Sequence, residues 1–300
     1  MTNGHNRPRV SRLEVRKTYK LLIGGAFVRT ESGRAYPALD AKGRFLAHVP
    51  LGSRKDVRDA VKAARGAFAG WAGKTAYNRG QVLYRAAEML EERRAEFVDA
   101  LVRSVSSSKA AATREVVLSI DRLVHFAGWC DKIGAVLGTV NPVAAPYFDF
   151  SSPEATGVVG LVSPEAPALV ALVSRVAAAV VSGNACVAIA SESRPIPALL
   201  FGEVIGTSDF PGGAVNILSG KKAELVKALA THRDVDAIDD GSLDPALALL
   251  IETEAADRVR RVSRPRATEG KHFFDDARLQ GLAALEPFLE IKTTWHPAGA

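Results

Sequence analysis

Residues 157–192 constrain the fold of this 300-residue chain more than any other segment. An apolar run at 158–162 and a second at 186–190 each have the length of a buried strand. Between them, residues 168–181 are almost uninterruptedly apolar, which is typical of a helix covered on most sides. Gly183 and Asn184 follow, and both tolerate the left-handed conformation that ends many helices. Strand, helix and strand form a βαβ unit, so the sequence predicts a parallel sheet covered on both faces.

The rest of the sequence extends this unit in both directions. Residues 21–29 have a hairpin pattern that turns at Gly24 and Gly25. Ser53 followed by Asp56 is a capping-box pattern and predicts the start of a helix. The other predicted elements are strands at 45–50, 214–218 and 235–238, and helices at 78–104, 113–137, 221–230 and 243–257, with one more ending near 207. We therefore expect an α/β fold, a Rossmann-like parallel sheet of four or five strands flanked by helices.

Four regions differ from this pattern. Residues 1–20 carry six basic residues and one acid, and we interpret them as a basic tail. Residues 138–152 predict an extended strand that stands off the body of the protein. Residues 258–280 are rich in charge and are interpreted as a linker. Residues 288–295 alternate between apolar and polar, which predicts a strand that needs a pairing partner. The α/β domain then comprises 21–137 and 153–257.

Composition excludes several classes of protein. With 47% hydrophobic and 24% charged residues the chain is globular, and two cysteines give no disulfide framework, so we expect a reducing, cytoplasmic setting. The net charge is +6, but the basic residues are dispersed among 33 acidic ones without interleaved aromatics, which argues against a nucleic-acid partner. Residues 1–20 lack the apolar core of a signal peptide, and the longest apolar stretch, 166–181, is too short to cross a bilayer. We expect no membrane partner.

Several segments together resemble the aldehyde dehydrogenase superfamily, whose members oxidise aldehydes with NAD or NADP. Residues 22–28 (LIGGAFV) are similar to the family's N-terminal hairpin, and 56–71 to its first helix. Residues 126–132 (FAGWCDK) resemble its "aromatic-Ala-Gly-Trp-Ala-Asp-Lys" helix end. Residues 157–192 and 211–220 follow the strand-helix-strand core and the segment after it. The order and spacing of these segments over about 220 residues carry the resemblance.

The catalytic residues that the resemblance implies are absent. The family uses a cysteine nucleophile, a glutamate base in a Glu-Leu-Gly-Gly motif and an asparagine amide in the oxyanion hole. The turn that would hold Pro-Trp-Asn reads Pro164-Glu165-Ala166, and the glutamate motif does not occur. Cys130 and Cys186 fall in a predicted helix and strand, so we expect both to be inert core thiols. No catalytic residue is assigned.

The cofactor positions are matched only in part. The resemblance implies NAD or NADP, with Ser191 and Glu192 following the second strand and Gly241-Ser242 in the phosphate loop. A lysine that binds the adenosine ribose in the family is replaced by Ile189. The aromatic-Thr lead-in to the phosphate loop is replaced by Asp239 and Asp240, which would repel a pyrophosphate. The candidate cofactor-binding residues are Ser191, Glu192, Gly241 and Ser242.

The end of the sequence resembles the family's last strand, whose pattern is "Gly-Leu … Tyr-x-Glu-x-Lys-Thr-Val". In the family that strand joins an extended arm in a small oligomerisation sheet, which docks on a neighbouring subunit's catalytic domain. The resemblance implies that 138–152 and 281–297 are the two arm strands here, and that the linker at 258–280 replaces the catalytic domain.

Three hypotheses for function remain open. The first is a non-catalytic subunit that associates through its arm sheet with a full-length NAD(P)-dependent aldehyde dehydrogenase, or with itself. The second is an active NAD-dependent aldehyde oxidoreductase that uses non-standard residues. The third is a nucleotide-binding regulator without turnover. Against a decayed remnant, the core pattern and the caps are intact throughout the α/β domain.

Overall fold

A computed structural model describes residues 13, 15–105, 107–258, 260–264 and 270–298. The strands are β1 Leu21–Ile23, β2 Ala26–Val28, β3 Ala35–Leu39, β4 Phe45–Pro50, β5 Thr139–Asn141, β6 Tyr147–Ala155, β7 Val158–Val162, β8 Ala185–Ile189, β9 Val215–Leu218, β10 Ala237–Asp240, β11 Arg261–Ser263 and β12 Leu289–Pro297. The helices are α1 Arg54–Ala72, α2 Ala76–Glu92, α3 Arg94–Val105, α4 Lys109–Ala127, α5 Ile133–Leu137, α6 Val170–Val180, α7 Ile196–Gly206, α8 Lys222–Thr231, α9 Pro245–Ala256 and α10 Asp276–Leu279.

The main sheet has seven strands in the order β11-β10-β7-β8-β9-β1-β2. The first five run parallel to their neighbours, while β1 and β2 add an antiparallel hairpin at one edge. The hairpin turns at Gly24 and Gly25, whose φ angles are 63° and 82°. The predicted α/β fold with a parallel sheet is confirmed, including the strand, helix and strand of 157–192.

Two helical layers cover this sheet. Helices α2, α3, α4, α6 and α7 share one apolar core on one face, and α1, α8 and α9 share a second core on the other. Helix α1 begins as its sequence predicts, since the Ser53 hydroxyl accepts from the Asp56 N–H and the Asp56 carboxylate accepts from the Ser53 N–H. Every residue of α6 is buried, because the sheet lies on one side and α4 on the other.

Two predicted long helices are each divided in the structure. The helix predicted at 78–104 is α2 and α3, with Arg93 leaving helical geometry between them. The guanidinium of Arg93 pairs with Glu96 and Glu203, so the break is held by ion pairs. The helix predicted at 113–137 is α4, which ends at Ala127 just before Gly128, followed by the short α5.

A separate sheet of three strands, which we call the arm sheet, has the order β12-β6-β5. β12 pairs antiparallel with β6 over nine residues, from Leu289 opposite Ala155 to Pro297 opposite Tyr147. The Ser151 and Thr293 hydroxyls lie 2.8 Å apart across this pair. The strand predicted at 288–295 therefore has its partner within the same chain.

The segment at 258–280 contains more structure than a linker. Its described part supplies β11, which extends the parallel sheet beside β10, followed by a 3-10 turn at Gly270–Phe274 and by α10. Phe273 in that turn is fully buried against α6. Most of the predicted basic tail lies outside the described residues; within 15–20, Lys17 contacts Glu96 and Glu203, each at 2.8 Å.

Candidate functional site

The carboxyl ends of the parallel strands β7 to β10 lie at one edge of the main sheet, and each is followed by a helix. In open α/β folds this edge is where ligands bind. A groove of about 670 Å³ opens there, and we call it the strand-end groove. Its charged lining residues are Asp40, Glu165, Glu192, Arg194, Lys221, Lys222 and Asp244. Four carboxylates against three cations make it a poor electrostatic match for a dinucleotide.

The structure brings only one of the four predicted cofactor-binding residues into this groove. Glu192 lines it, whereas Ser191, Gly241 and Ser242 are not among its lining residues. Ser191 is fully buried in the loop after β8. Gly241 packs on β7, where its N–H donates to the Val162 carbonyl at 2.9 Å. Ser242 follows, and its N–H donates to the Asp240 carboxylate at 3.1 Å.

Glu165, in the turn after β7, binds the loop after β8. Its carboxylate accepts from the Ser191 hydroxyl at 2.8 Å, the Glu192 N–H at 3.1 Å and the Ser193 N–H at 2.8 Å. The Ser193 hydroxyl and the Lys222 ammonium also contact it. Partial burial alone would raise the pKa of Glu165, but Lys222 and Ser193 outweigh it and lower this pKa to about 2. The side chain is therefore an anion held by five donors.

Glu192 occupies the start of helix α8. Its carboxylate accepts from the Lys222 N–H at 2.9 Å and from the Lys221 ammonium at 2.7 Å. Its backbone carbonyl accepts from the Tyr36 hydroxyl at 3.2 Å. Burial, together with the nearby Glu192 and Glu165 charges, raises the pKa of Tyr36.

Carboxylates also occupy the starts of two further helices at this edge. Glu115, which is buried on α4, accepts from the Leu169 and Val170 N–H groups at the start of α6, at 2.8 and 3.3 Å. Asp244 caps α9 by accepting from the Ala246 N–H at 2.8 Å. Helix N-termini are the usual anion sites of such folds, because their N–H groups have no partner within the helix. Three of the four helix starts here hold a carboxylate of the chain itself.

The sequence predicts that Asp239 and Asp240 repel a pyrophosphate, but in the structure both carboxylates are paired with arginines. Asp239 is buried and forms a two-pronged ion pair with Arg175 of α6, at 2.7 and 2.5 Å. Asp240 pairs with Arg264 at 3.2 Å. Each charge is therefore matched by an arginine, so the bare repulsion expected from sequence is largely neutralised.

A dinucleotide does not fit the donors at this edge. A pyrophosphate needs N–H donors at a helix start or in a glycine-rich turn. The start of α9, which follows the Gly241-Ser242 loop, is already capped by Asp244, and the loop's Ser242 N–H is bonded to Asp240. Ile189 contributes no charge where the resemblance places a ribose-binding lysine.

Both cysteines of the chain lie in the core. Cys186 in β8 is fully buried, and Cys130, just after α4, is 5% exposed. Burial raises the pKa of each thiol to about 12. Neither sulfur is a thiolate near neutral pH, so neither is an available nucleophile. Their expected role as inert core thiols agrees with this burial.

A second cavity, of about 570 Å³, lies between α6 and the segment at 270–287. Arg175, Arg264, His272 and Arg278 lie on its wall together with Phe273 and Leu279. Asp239, Asp240 and Asp275 pair with its three arginines.

In the described part of the chain, no cluster of three or more His, Cys, Asp or Glu side chains is arranged to hold a metal ion. None of the helices described there is both long and apolar enough to cross a bilayer.

Sequence reasoning missed Lys222, Ser193 and Glu115 as residues of this site. Glu115 lies 54 residues before the helix start that it caps, so no local pattern identifies it. Lys222 stands in a Lys-Lys pair that reads as an ordinary helix surface, although its side chain is only 7% exposed. The Ser-Glu-Ser sequence at 191–193 does indicate a loop with several hydrogen-bond donors, because it contains two hydroxyl groups.

Comparison with known proteins identifies one family. The model of the Aldehyde dehydrogenase family matches residues 27–263. A mitochondrial protein of Arabidopsis thaliana, aldehyde dehydrogenase family 2 member B4, is 34% identical over 238 residues, which cover 77% of this chain and 43% of that protein. Retinal dehydrogenase 2 of Gallus gallus is 33% identical over 258 residues, covering 84% of this chain and 49% of that protein.

Comparison with solved structures also identifies aldehyde dehydrogenases. The NAD+ complex of an aldehyde dehydrogenase from Bacillus cereus superposes with a TM-score of 0.78 at 26% identity, covering 83% of this chain and 51% of that one. The chain thus spans about half the length of these relatives.

Proposed function

Because this chain belongs to the aldehyde dehydrogenase family, we propose that it is a non-catalytic subunit that associates through its arm sheet with a full-length NAD(P)-dependent aldehyde dehydrogenase. The observation that carries the proposal is the pairing of β6 with β12 in a sheet that stands beside the α/β domain. In this arrangement all three strands of the arm sheet come from one chain, and the sheet can bind a partner subunit as a preformed unit.

The surface of the arm sheet supports a partner. Five of its large apolar side chains are between 43 and 66% exposed: Val140, Tyr147, Phe148, Ile291 and Trp295. Val140 and Phe148 lie on one face with Phe150, whose ring is 5.4 Å from that of Phe148. Tyr147, Ile291 and Trp295 lie on the other face. Exposed aromatic residues of this kind are typical of protein interfaces.

The edges of the arm sheet support the same proposal. Among the described residues, β12 and β5 each pair with β6 alone, so each has one outer edge without a strand beside it. A nine-residue edge strand such as β12 is a template for strand addition, and proteins normally cover or break such edges. A partner subunit that covers the arm sheet would remove this liability.

The proposed lack of catalysis is supported by the site residues. Both thiols are buried with a raised pKa, and Glu165 at the expected oxyanion turn is an anion rather than an amide donor. An anion there opposes a developing oxyanion instead of stabilising it. The described segment after residue 263, at 270–288, consists of short helical turns that lead directly to β12.

Neither alternative has comparable support. An active oxidoreductase would need a nucleophile, and the two thiols of the chain are both inaccessible. A nucleotide-binding regulator would need free donors at the carboxyl edge of the sheet, where the chain's own carboxylates already bind.

Co-expression of the tagged chain with a full-length family member from the same genome tests the proposal. The wild-type chain should retain the full-length protein on an affinity column. Phe148→Ser combined with Trp295→Ser should reduce retention about tenfold or more, since central aromatic anchors dominate interface energies. Leu249→Ser on α9 is the matched control, because Leu249 is 66% exposed but lies outside the arm sheet. A wild-type chain that retains none of the full-length protein contradicts the proposal.

A further inference from the structure

A segment that lies beyond the family match covers helices α4 and α6, and we call it, residues 270–287, the strap. Phe273 and Leu279 of the strap share a small apolar cluster with the first turn of α6. The Arg114 guanidinium of α4 lies 5.7 Å from the centre of the Phe274 ring. The strap is therefore a cover that packs on both helices.

Two polar contacts fasten the strap to the C-terminal half of α4. In the first, the Arg122 guanidinium lies 2.8 Å from the Asp276 carboxylate, which is 56% exposed. Arg122 is completely buried, and among the residues that the structure describes none accepts a well-directed hydrogen bond from its nitrogens. In the second, His125 Nε2 lies 2.8 Å from the Gln280 carbonyl oxygen. Because the first contact is poorly directed, the hold on this end of the strap depends on the state of His125.

The Nε2 atom of His125 has two partners that require opposite states. The Trp129 indole N–H donates to Nε2 at 2.9 Å, which needs a lone pair on that nitrogen. The Gln280 carbonyl is an acceptor, which needs a proton there. One ring nitrogen cannot meet both needs at once. A neutral His125 therefore divides between its two partners, whereas a doubly protonated ring can only donate.

The charges around His125 are compatible with a proton on its ring. His125 lies in the last turn of α4, where the carbonyl groups of the helix end favour a cation. The ionisable groups of the surrounding helices and turns are Arg85 and Glu88 of α2, Arg175 of α6, and Asp121, Arg122, Asp131 and Lys132 of α4 and the turn after it. Those of the strap are Lys271, His272, Asp275, Asp276, Arg278 and Glu286. Every arginine of these two sets pairs with a carboxylate, as does Lys132.

We propose that His125 is a proton-operated clip for the strap. With a proton on Nε2, His125 donates to the Gln280 carbonyl and holds the strap on α4. Without that proton, it accepts from Trp129 and the strap loses this fastening. Because the held form needs the proton, the strap is held most firmly in acid and loosens as the pH rises. This inference concerns the strap and goes beyond the association proposed for the arm sheet.

Hydrogen exchange of the strap amides tests the inference. Histidine titrates at about pH 6.5 in ordinary surroundings, so protection factors of the amides in 276–285 are compared at about pH 5.5 and about pH 8. Protection in the wild-type chain should be about fivefold to tenfold higher in acid, because a bond from a charged donor is stronger than one from a neutral donor. His125→Gln should abolish this difference, since an amide does not titrate. His272→Gln is the matched control, because it removes the strap's own histidine and should keep the difference.

Removal of the competing donor separates the clip from a general effect of pH. In Trp129→Phe, the neutral ring has only the Gln280 carbonyl as a partner, so protection at about pH 8 should rise to the value in acid. The wild-type chain supplies a direct measurement as well. Its Trp129 indole N–H resonance, assigned by triple-resonance NMR, should move upfield between about pH 8 and about pH 5.5, because the indole loses its acceptor.

Four results would overturn the inference. Two concern the wild-type chain: equal protection of the strap at both pH values, or an indole resonance of Trp129 that does not move. The third is a pH difference that His272→Gln abolishes and His125→Gln retains, which would assign the effect to the strap's own histidine. The fourth is a Trp129→Phe chain that keeps the full pH difference. If neither variant folds, the two wild-type measurements decide the question.

Discussion

At the scale of single residues, carboxylates determine what the strand-end groove can bind. Glu115, Glu192 and Asp244 occupy three helix starts, and Glu165 occupies the loop before a fourth helix. Each accepts N–H bonds that an external anion would otherwise take. At this edge the chain's own carboxylates therefore occupy helix starts where an external anion would bind.

The pH dependence of stability tests the state of Glu165. On folding its pKa falls from its ordinary value of 4.5 to about 2, so its contribution to stability is complete above about pH 4.5 and is lost as the pH falls toward 2. Glu165→Gln should therefore melt at a lower temperature than wild type at pH 7, and the gap should narrow between pH 4.5 and 3. Glu88→Gln, in an exposed pair, should show only a small gap. A Glu165→Gln gap that stays constant or widens in acid would be inconsistent with a paired carboxylate.

Thiol reactivity tests the assignment of the cysteines. With a pKa of about 12 and almost no exposure, Cys130 and Cys186 should be protonated and inaccessible at pH 8. A thiol-specific disulfide reagent should label neither in the native chain and both in guanidinium chloride. Rapid native labelling, lost in Cys130→Ala or in Cys186→Ala, would restore the possibility of a cysteine nucleophile.

At the scale of elements, a buried ion pair joins helix α6 to strand β10. Arg175 and Asp239 are both nearly buried, and the Arg175 guanidinium also lies 4.8 Å from the centre of the Phe288 ring. The Ser263 hydroxyl of β11 donates to Asp239 at 2.7 Å, so the pair also holds the outermost strand. This contact connects the central helix to the segment that leads to the arm sheet.

Urea unfolding of variants tests this connection. Arg175→Met should reduce the free energy of unfolding by about 3–5 kcal/mol, because it leaves Asp239 as a buried charge without its cation. Arg175→Met combined with Asp239→Leu should cost less than Arg175→Met alone, since no charge is then left behind. A loss in the double variant equal to the sum of the losses in Arg175→Met and in Asp239→Leu would mean that the pair is not coupled.

The regular elements of this fold were largely predictable from sequence, and the contacts at its edge were not. The apolar runs of β7 and β8, the glycine turn of the first hairpin and the Ser53 cap are local patterns. Strand β11 was missed because Arg261–Ser263 is short and polar, and it becomes a strand only by pairing with β10. The Glu115 cap and the Arg175–Asp239 pair join residues more than 50 positions apart, for which one sequence holds no local signal.

At the scale of the whole molecule, the strand-end groove and the arm sheet differ in how their polar and apolar groups are satisfied. The groove has donors that are satisfied internally, whereas the arm sheet has exposed aromatic residues and free strand edges among the described residues. These two features support the proposal that the arm sheet docks on a partner and that the groove takes no cofactor.

Calorimetry with NAD tests the closed groove. The wild-type chain should give no saturable heat with NAD at millimolar concentration, because the helix starts that would receive the pyrophosphate are capped. A full-length aldehyde dehydrogenase titrated under the same conditions provides the positive control. Saturable binding of NAD to this chain in the micromolar range would contradict the closed groove.

The most direct test of the central claim is the mass of the particle that forms when this chain is co-expressed with a full-length aldehyde dehydrogenase. Size-exclusion chromatography with light scattering should give one peak that contains both chains, and Phe148→Ser combined with Trp295→Ser should separate them. A 31.9 kDa monomer that elutes apart from the full-length protein would contradict the account, as would a particle built from this chain alone.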